Sequence, residues 1–108
     1  MFDGNEGSRL TGRSELAEAS EWTKTFQDNN RGKYKAHFFG KNTINDLLNS
    51  SPEVVGIRMY LGEDDAGNTR LLLVGADKEG NDLDSYMVDR SAPCPTFCGP
   101  RNSLNHDL

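Results

Sequence analysis

The spacing of apolar positions changes near the middle of the chain. In "SELAEASEWTKTFQDNN", residues 14–30, Leu16, Ala19, Trp22 and Phe26 recur on one stripe at helical spacing. Ser14 is the expected N-cap, Glu15 and Glu18 sit near the positive end of the helix dipole, and Asn29, Asn30 and Gly32 stop the helix. A tryptophan on such a stripe reads as a core anchor. A shorter second helix is predicted in "GKNTINDLLNSSP", with Ile44, Leu47 and Leu48 as its apolar face and Pro52 forbidding continuation.

From residue 53 the period becomes two. Val55, Ile57, Met59 and Leu61 alternate with Gly56, Arg58 and Tyr60, the pattern of a half-buried strand. "TRLLLVGA" is apolar on both faces and reads as a central strand. "LDSYMVDR" closes the series, and "DDAGN" and "DKEGND" supply the turns between strands. The expected fold is α+β: two N-terminal helices packed on one face of a three-stranded antiparallel meander, followed by an irregular Cys/Pro-rich C-terminal segment. As a single domain of residues 1–108, it divides into a disordered stretch at 1–12, a helical part at 13–52, the meander at 53–90 and the tail at 91–108. The last eight residues are expected to fray unless Leu104 docks.

Composition narrows the function. Apolar residues make up 34% of the 108, so the core is expected to be small and built from a few dense segments. The net charge of −5 is unevenly spread: residues 1–52 carry seven basic and seven acidic side chains, residues 53–108 five and ten. An acidic half beside a neutral one argues against nucleic acid and against anionic lipid. No apolar run approaches bilayer length, and the start of the chain lacks the pattern of a secretory signal, so the expected location is cytoplasmic.

Several segments are candidates for chemistry. The acidic turns lack the ligand spacing of a helix-flanked calcium loop and read as plain turns. The connector "RGKYKAHFFGK" concentrates Lys33, Lys35, His37 and Lys41 among Tyr34, Phe38 and Phe39. Its expected role is a charged connector whose phenylalanines plug the core; the sharper reading is an anion or partner site at the start of helix two, with Arg58 as a further candidate. "GKNT" fails as a phosphate loop, because Lys35 stands where its first glycine belongs and Asn42 where its Ser/Thr belongs. No nucleophile elbow or zinc-protease motif is present, so no catalytic residue is assigned.

The remaining feature is "SAPCPTFCGP", residues 91–100, which contains both cysteines. If "CPTFC" forms a turn, with Pro95 at its first helical position, the Cys94 and Cys98 Cα atoms lie about 6 Å apart and a disulfide fits. In extended chain they lie about 12 Å apart and it does not. Reduced thiols, a local disulfide and a metal clamp with His37 and His106 all remain open at this point; the histidines lack the close pairing of zinc sites, so no metal or cofactor is assigned.

Taken in order, "AHFFGKNTINDLL", "VVGIRMYLGEDDAGNTRLLLVGADKEGNDL" and "PCPTFC" resemble a group of small uncharacterised bacterial proteins over about Leu16 to Gly99. The resemblance implies no activity, cofactor or site residue. The expected function is that of a small non-catalytic binding or interaction protein, acting on an unknown protein partner or by self-association, with Tyr60, Arg58 and Tyr86 on an uncovered sheet face. The alternative is a thiol redox or metal-dependent protein centred on Cys94 and Cys98.

Overall fold

The computed structural model describes residues 1–106, and the fold is α+β. The chain forms two compact units. The first comprises residues 1–7 and 39–91, the second residues 8–38 and 92–108.

In the first unit, helix α2 (Lys41–Leu48) precedes three strands, β2 (Gly56–Glu63), β3 (Thr69–Ala76) and β4 (Asp82–Val88). They form an antiparallel meander in the order β2-β3-β4, so the doubly apolar segment is the central strand, as its pattern predicts. The β2–β3 register is regular from Gly56↔Ala76 to Glu63↔Thr69, whereas β4 pairs irregularly, with a shift between Val74 and Ala76. Helix α2 packs against β3 and β4. Its C-terminal carbonyls are closed locally: the Asn49 side chain donates to Asn45 O at 2.8 Å and Ser50 Oγ to Leu47 O at 2.7 Å.

The two hairpin turns are copies of one device, Asp-x-x-Gly-Asn, at 64–68 and 77–81. In each, the aspartate Oδ1 accepts the N–H groups two and four residues on, and the glycine (Gly67 at φ 81°, Gly80 at φ 88°) takes the left-handed conformation. These backbone bonds hold the Asp64 and Asp77 carboxyls below the usual range, through Asn68 and Asn81 respectively. The carboxylates are consumed by turn geometry.

Residues 1–7, expected to be disordered, lie on this unit. Phe2 N–H donates to Lys78 O at 2.8 Å, and a Cβ added at Gly80 would come within 2.6 Å of the Phe2 ring. The Arg58 guanidinium stands 5.7 Å from the centroid of that ring. An aromatic side chain in a polar leader supplies the attachment that composition alone conceals.

The core of the first unit is small: Leu47 and Leu73 are fully buried, Val74 and Ala76 nearly so. Alternation places Met59 and Leu61 on the face that Leu73 and Leu71 share, yet they are 58% and 86% exposed. Helix α2 is eight residues long and covers β3 and β4, while the outer half of β2 stays open.

The second unit contains helix α1 (Arg13–Asn29), strand β1 (Ala36–Phe38) and strand β5 (Ala92–Cys94). The helix starts from Gly12, and Ser14 lies inside it. Glu15 occupies the third helical position, and its carboxylate reaches back past the Gly12 N-cap to accept the Thr11 N–H at 3.3 Å. Strands β1 and β5 pair antiparallel from Ala36↔Cys94 to Phe38↔Ala92, so the tail expected to be irregular contributes a strand. Pro93 is tolerated because both strands are edges. Among the described residues, no helix is long and apolar enough to cross a membrane.

Candidate functional site

The second unit has almost no apolar core. Among its described residues the buried ones are Gln27 and Cys94, each 5% exposed. The helix stripe read as a core face is open: Leu16, Trp22 and Phe26 are 51%, 65% and 45% exposed. Phe38, expected to plug the core, is 67% exposed. Periodicity reports that a helix has an apolar face; it does not say that another element covers it.

Polar bonds and a covalent link hold this unit instead. The Gln27 side chain clamps the C-terminal tail at both ends of its amide: Nε2 donates to Leu104 O at 2.8 Å, and Oε1 accepts the His106 N–H at 3.0 Å. His106 Nε2 donates to Ser20 O at 3.0 Å, with Thr23 Oγ1 at 3.1 Å. Lys35 Nζ donates to His106 O at 2.6 Å, and Lys35 N–H to Cys94 O at 2.7 Å. The tail thus docks through its backbone and the His106 ring, while Leu104 stays 52% exposed.

Cys94 and Cys98 form a disulfide, with Cα atoms 4.8 Å apart. "CPTFC" is a turn, as that bond requires: Phe97 N–H donates to Pro93 O, four residues back, and Cys98 N–H to Thr96 O, two residues back. The strand ladder ends at Cys94 and orients the residues that follow. By chain entropy a ring of this size contributes only about 2 kcal/mol. The two halves of the bond differ in access, Cys94 being buried and Cys98 exposed.

Beside the disulfide lies a cavity of about 380 Å³ whose apolar wall includes Ala36, Phe38, Ala92, Phe97 and Leu104, with Thr23, Gln27, Lys35 and His37 among its polar groups. The His37 ring meets Tyr34 edge-on, with centroids 6.0 Å apart. A smaller cavity of about 150 Å³ on the same unit is lined by Lys33, Lys35, Pro95 and Cys98. Five of the seven residues singled out from sequence (Lys33, Lys35, His37, Cys94 and Cys98) therefore line these two cavities. Lys41 and Arg58 do not share in them; both belong to the first unit. Gln27 and His106 carry the site's framework; His106 was weighed in sequence only as a metal ligand, and Gln27 went unnoticed, since a glutamine within a helix has no periodic signature. Among the described residues, no three His, Cys, Asp or Glu side chains converge as a metal site.

Arg58 has a structural assignment. It donates to Gly80 O at 2.9 Å and pairs with Asp82, whose other oxygen accepts the Tyr60 hydroxyl. The Tyr60 hydrogen bond, then Arg58, hold the Asp82 carboxyl below its ordinary 3.8, and the same bond to Asp82 raises the Tyr60 hydroxyl. A carboxyl depressed in the folded state stabilises fully above its unfolded pKa and loses that contribution as pH falls through the folded value. The first unit should therefore hold its stability down to about pH 4 and lose it in stronger acid. Asp82→Asn should flatten the acid limb of a thermal-melt series; an unchanged limb would show that the cluster does not matter to folding.

The charges divide unevenly between the units. The first carries five basic and twelve acidic side chains, net −7; the second carries seven and five, net +2. Compared with protein-family models, with curated proteins and with solved structures, the chain matches none.

Proposed function

We propose that the protein is a small non-catalytic binding module that docks a partner polypeptide in the cavity beside Cys94 and Cys98. The observation that carries this is the pair of phenylalanines on that cavity, Phe38 at 67% and Phe97 at 66% exposed, in a unit with almost no core of its own. Exposed aromatic groups around a concave apolar surface are the usual anchor of a peptide site. Lys33 and Lys35 at the adjoining cavity, together with the net +2 of the unit, favour a ligand that places carboxylates next to its apolar side chains.

The probe is a synthetic peptide alternating leucine or phenylalanine with glutamate, followed by amide NMR. Shifts are expected in residues 33–38 and 92–105, weakening as salt is raised. The same peptide with lysine for glutamate should lose most of its binding. Phe97→Ser should weaken it about tenfold, the scale of one lost apolar anchor. An acidic peptide that shifts nothing at millimolar concentration, or binds no better than its lysine counterpart, would remove this reading.

A further inference from the structure

The asymmetry of the disulfide, together with its surroundings, points to chemistry beyond binding. We infer that Cys94–Cys98 is an exchangeable disulfide that accepts two electrons from a dithiol, with Cys98 as the sulfur attacked. Three features of the second unit support this. Cys98 is exposed and Cys94 is buried, so an incoming thiolate has one accessible sulfur. Cys98 shares a cavity with Lys33 and Lys35, cations that favour anionic sulfur arriving or leaving there. Cys94 is fixed at the end of the β1–β5 ladder, its carbonyl bonded to Lys35 N–H, so the leaving sulfur stays anchored, while residues 95–98 lie outside the ladder and are held by the two turn bonds of Phe97 and Cys98.

The ring is also a weak staple, closing only four residues of separation. Phe97 lies inside the ring and on the docking cavity, so opening the ring alters the wall that a ligand would touch.

The step balances as follows. A substrate thiolate attacks Cys98 Sγ, forming a mixed disulfide, while the Cys94–Cys98 bond breaks and Cys94 Sγ leaves with the electron pair and takes a proton from water. The second substrate thiolate then attacks the substrate sulfur of that mixed disulfide. A substrate disulfide forms, and Cys98 Sγ departs and is protonated. The substrate loses two electrons and the protein gains two, its own disulfide being the oxidant, in one turnover.

The test uses the full oxidised chain and a reduced peptide containing two cysteines, with oxidised glutathione as the reference disulfide. One peptide disulfide should form per protein, at a rate at least about tenfold above the reference. A rate at or below the reference would overturn the inference. Sulfur selectivity is read from Cys94→Ser and Cys98→Ser with Ellman's reagent: the variant that keeps Cys98 should react about tenfold faster or more. Equal or reversed rates would also overturn it. If either variant fails to fold, partly reduced wild-type protein trapped with glutathione serves instead, and the adduct must map to Cys98. Small thiols need no docking cavity, so loss of peptide binding with exchange intact removes only the binding reading, and the converse removes only this one.

Discussion

Leu73→Ala is expected to destabilise the three-stranded unit by about 3 kcal/mol, within the usual range for a fully buried leucine. Leu73 is 0% exposed on the central strand, opposite Met59 on one side and Val88 on the other. Leu47 is the one other large side chain among the described residues that is fully buried, so little neighbouring apolar mass can collapse into the space left behind. Against a total stability of about 5–15 kcal/mol for a typical domain, this loss is large. Amide exchange in β2, β3 and β4 should accelerate together, and the urea midpoint of the strand signal should fall. Leu61→Ala, at an 86% exposed position on the same face, should change stability by less than about 0.5 kcal/mol. Similar effects from both substitutions would mean that burial in this unit is not where the structure puts it.

Gln27→Ala should release the C-terminal tail and cost the second unit about 2 kcal/mol. Two hydrogen bonds disappear with the side chain of one of the unit's few buried residues, and Leu104 O and His106 N–H lose the partner they had. Rapid exchange at the Leu104 and His106 amides, with helix α1 still protected, is the expected signature. Gln27→Glu is the sharper comparison: it keeps the acceptor for His106 N–H but places carboxylate oxygen where Nε2 donates to Leu104 O. A tail that stays protected in Gln27→Ala would assign the docking to His106 and Lys35 alone.

What the sequence disclosed was period and punctuation. Helix α2 and the three meander strands follow from Ile44, Leu47 and Leu48, from the alternation after Pro52 and from two Asp-x-x-Gly-Asn turns, because each of these is local information. Burial was harder to read. Trp22 and Phe26 sit on a stripe that nothing in the second unit buries, and a stripe looks the same whether a neighbour covers it or not. The β1–β5 ladder was hidden for another reason: three-residue strands show no period, and one of these contains Pro93. The disulfide was legible only conditionally, since bond formation required a turn that the residues at 94–98 permit without dictating. Of the basic connector, Lys33, Lys35 and His37 line the two cavities while Lys41 belongs to the first unit, and Phe38, expected in the core, lines a cavity wall.

The register Phe38↔Ala92 joins strands with 53 residues between them, and those residues form most of the first unit. On a translating ribosome the order of events is thereby set. Helix α1 emerges early but has neither its strand partner nor its tail until residues 92–106 are made. The meander, by contrast, takes no strand from beyond residue 88, so it can form before the β1–β5 ladder closes. Its formation gathers the intervening chain and shortens the search that brings Phe38 to Ala92, which in an unstructured chain would carry the full loop-closure entropy.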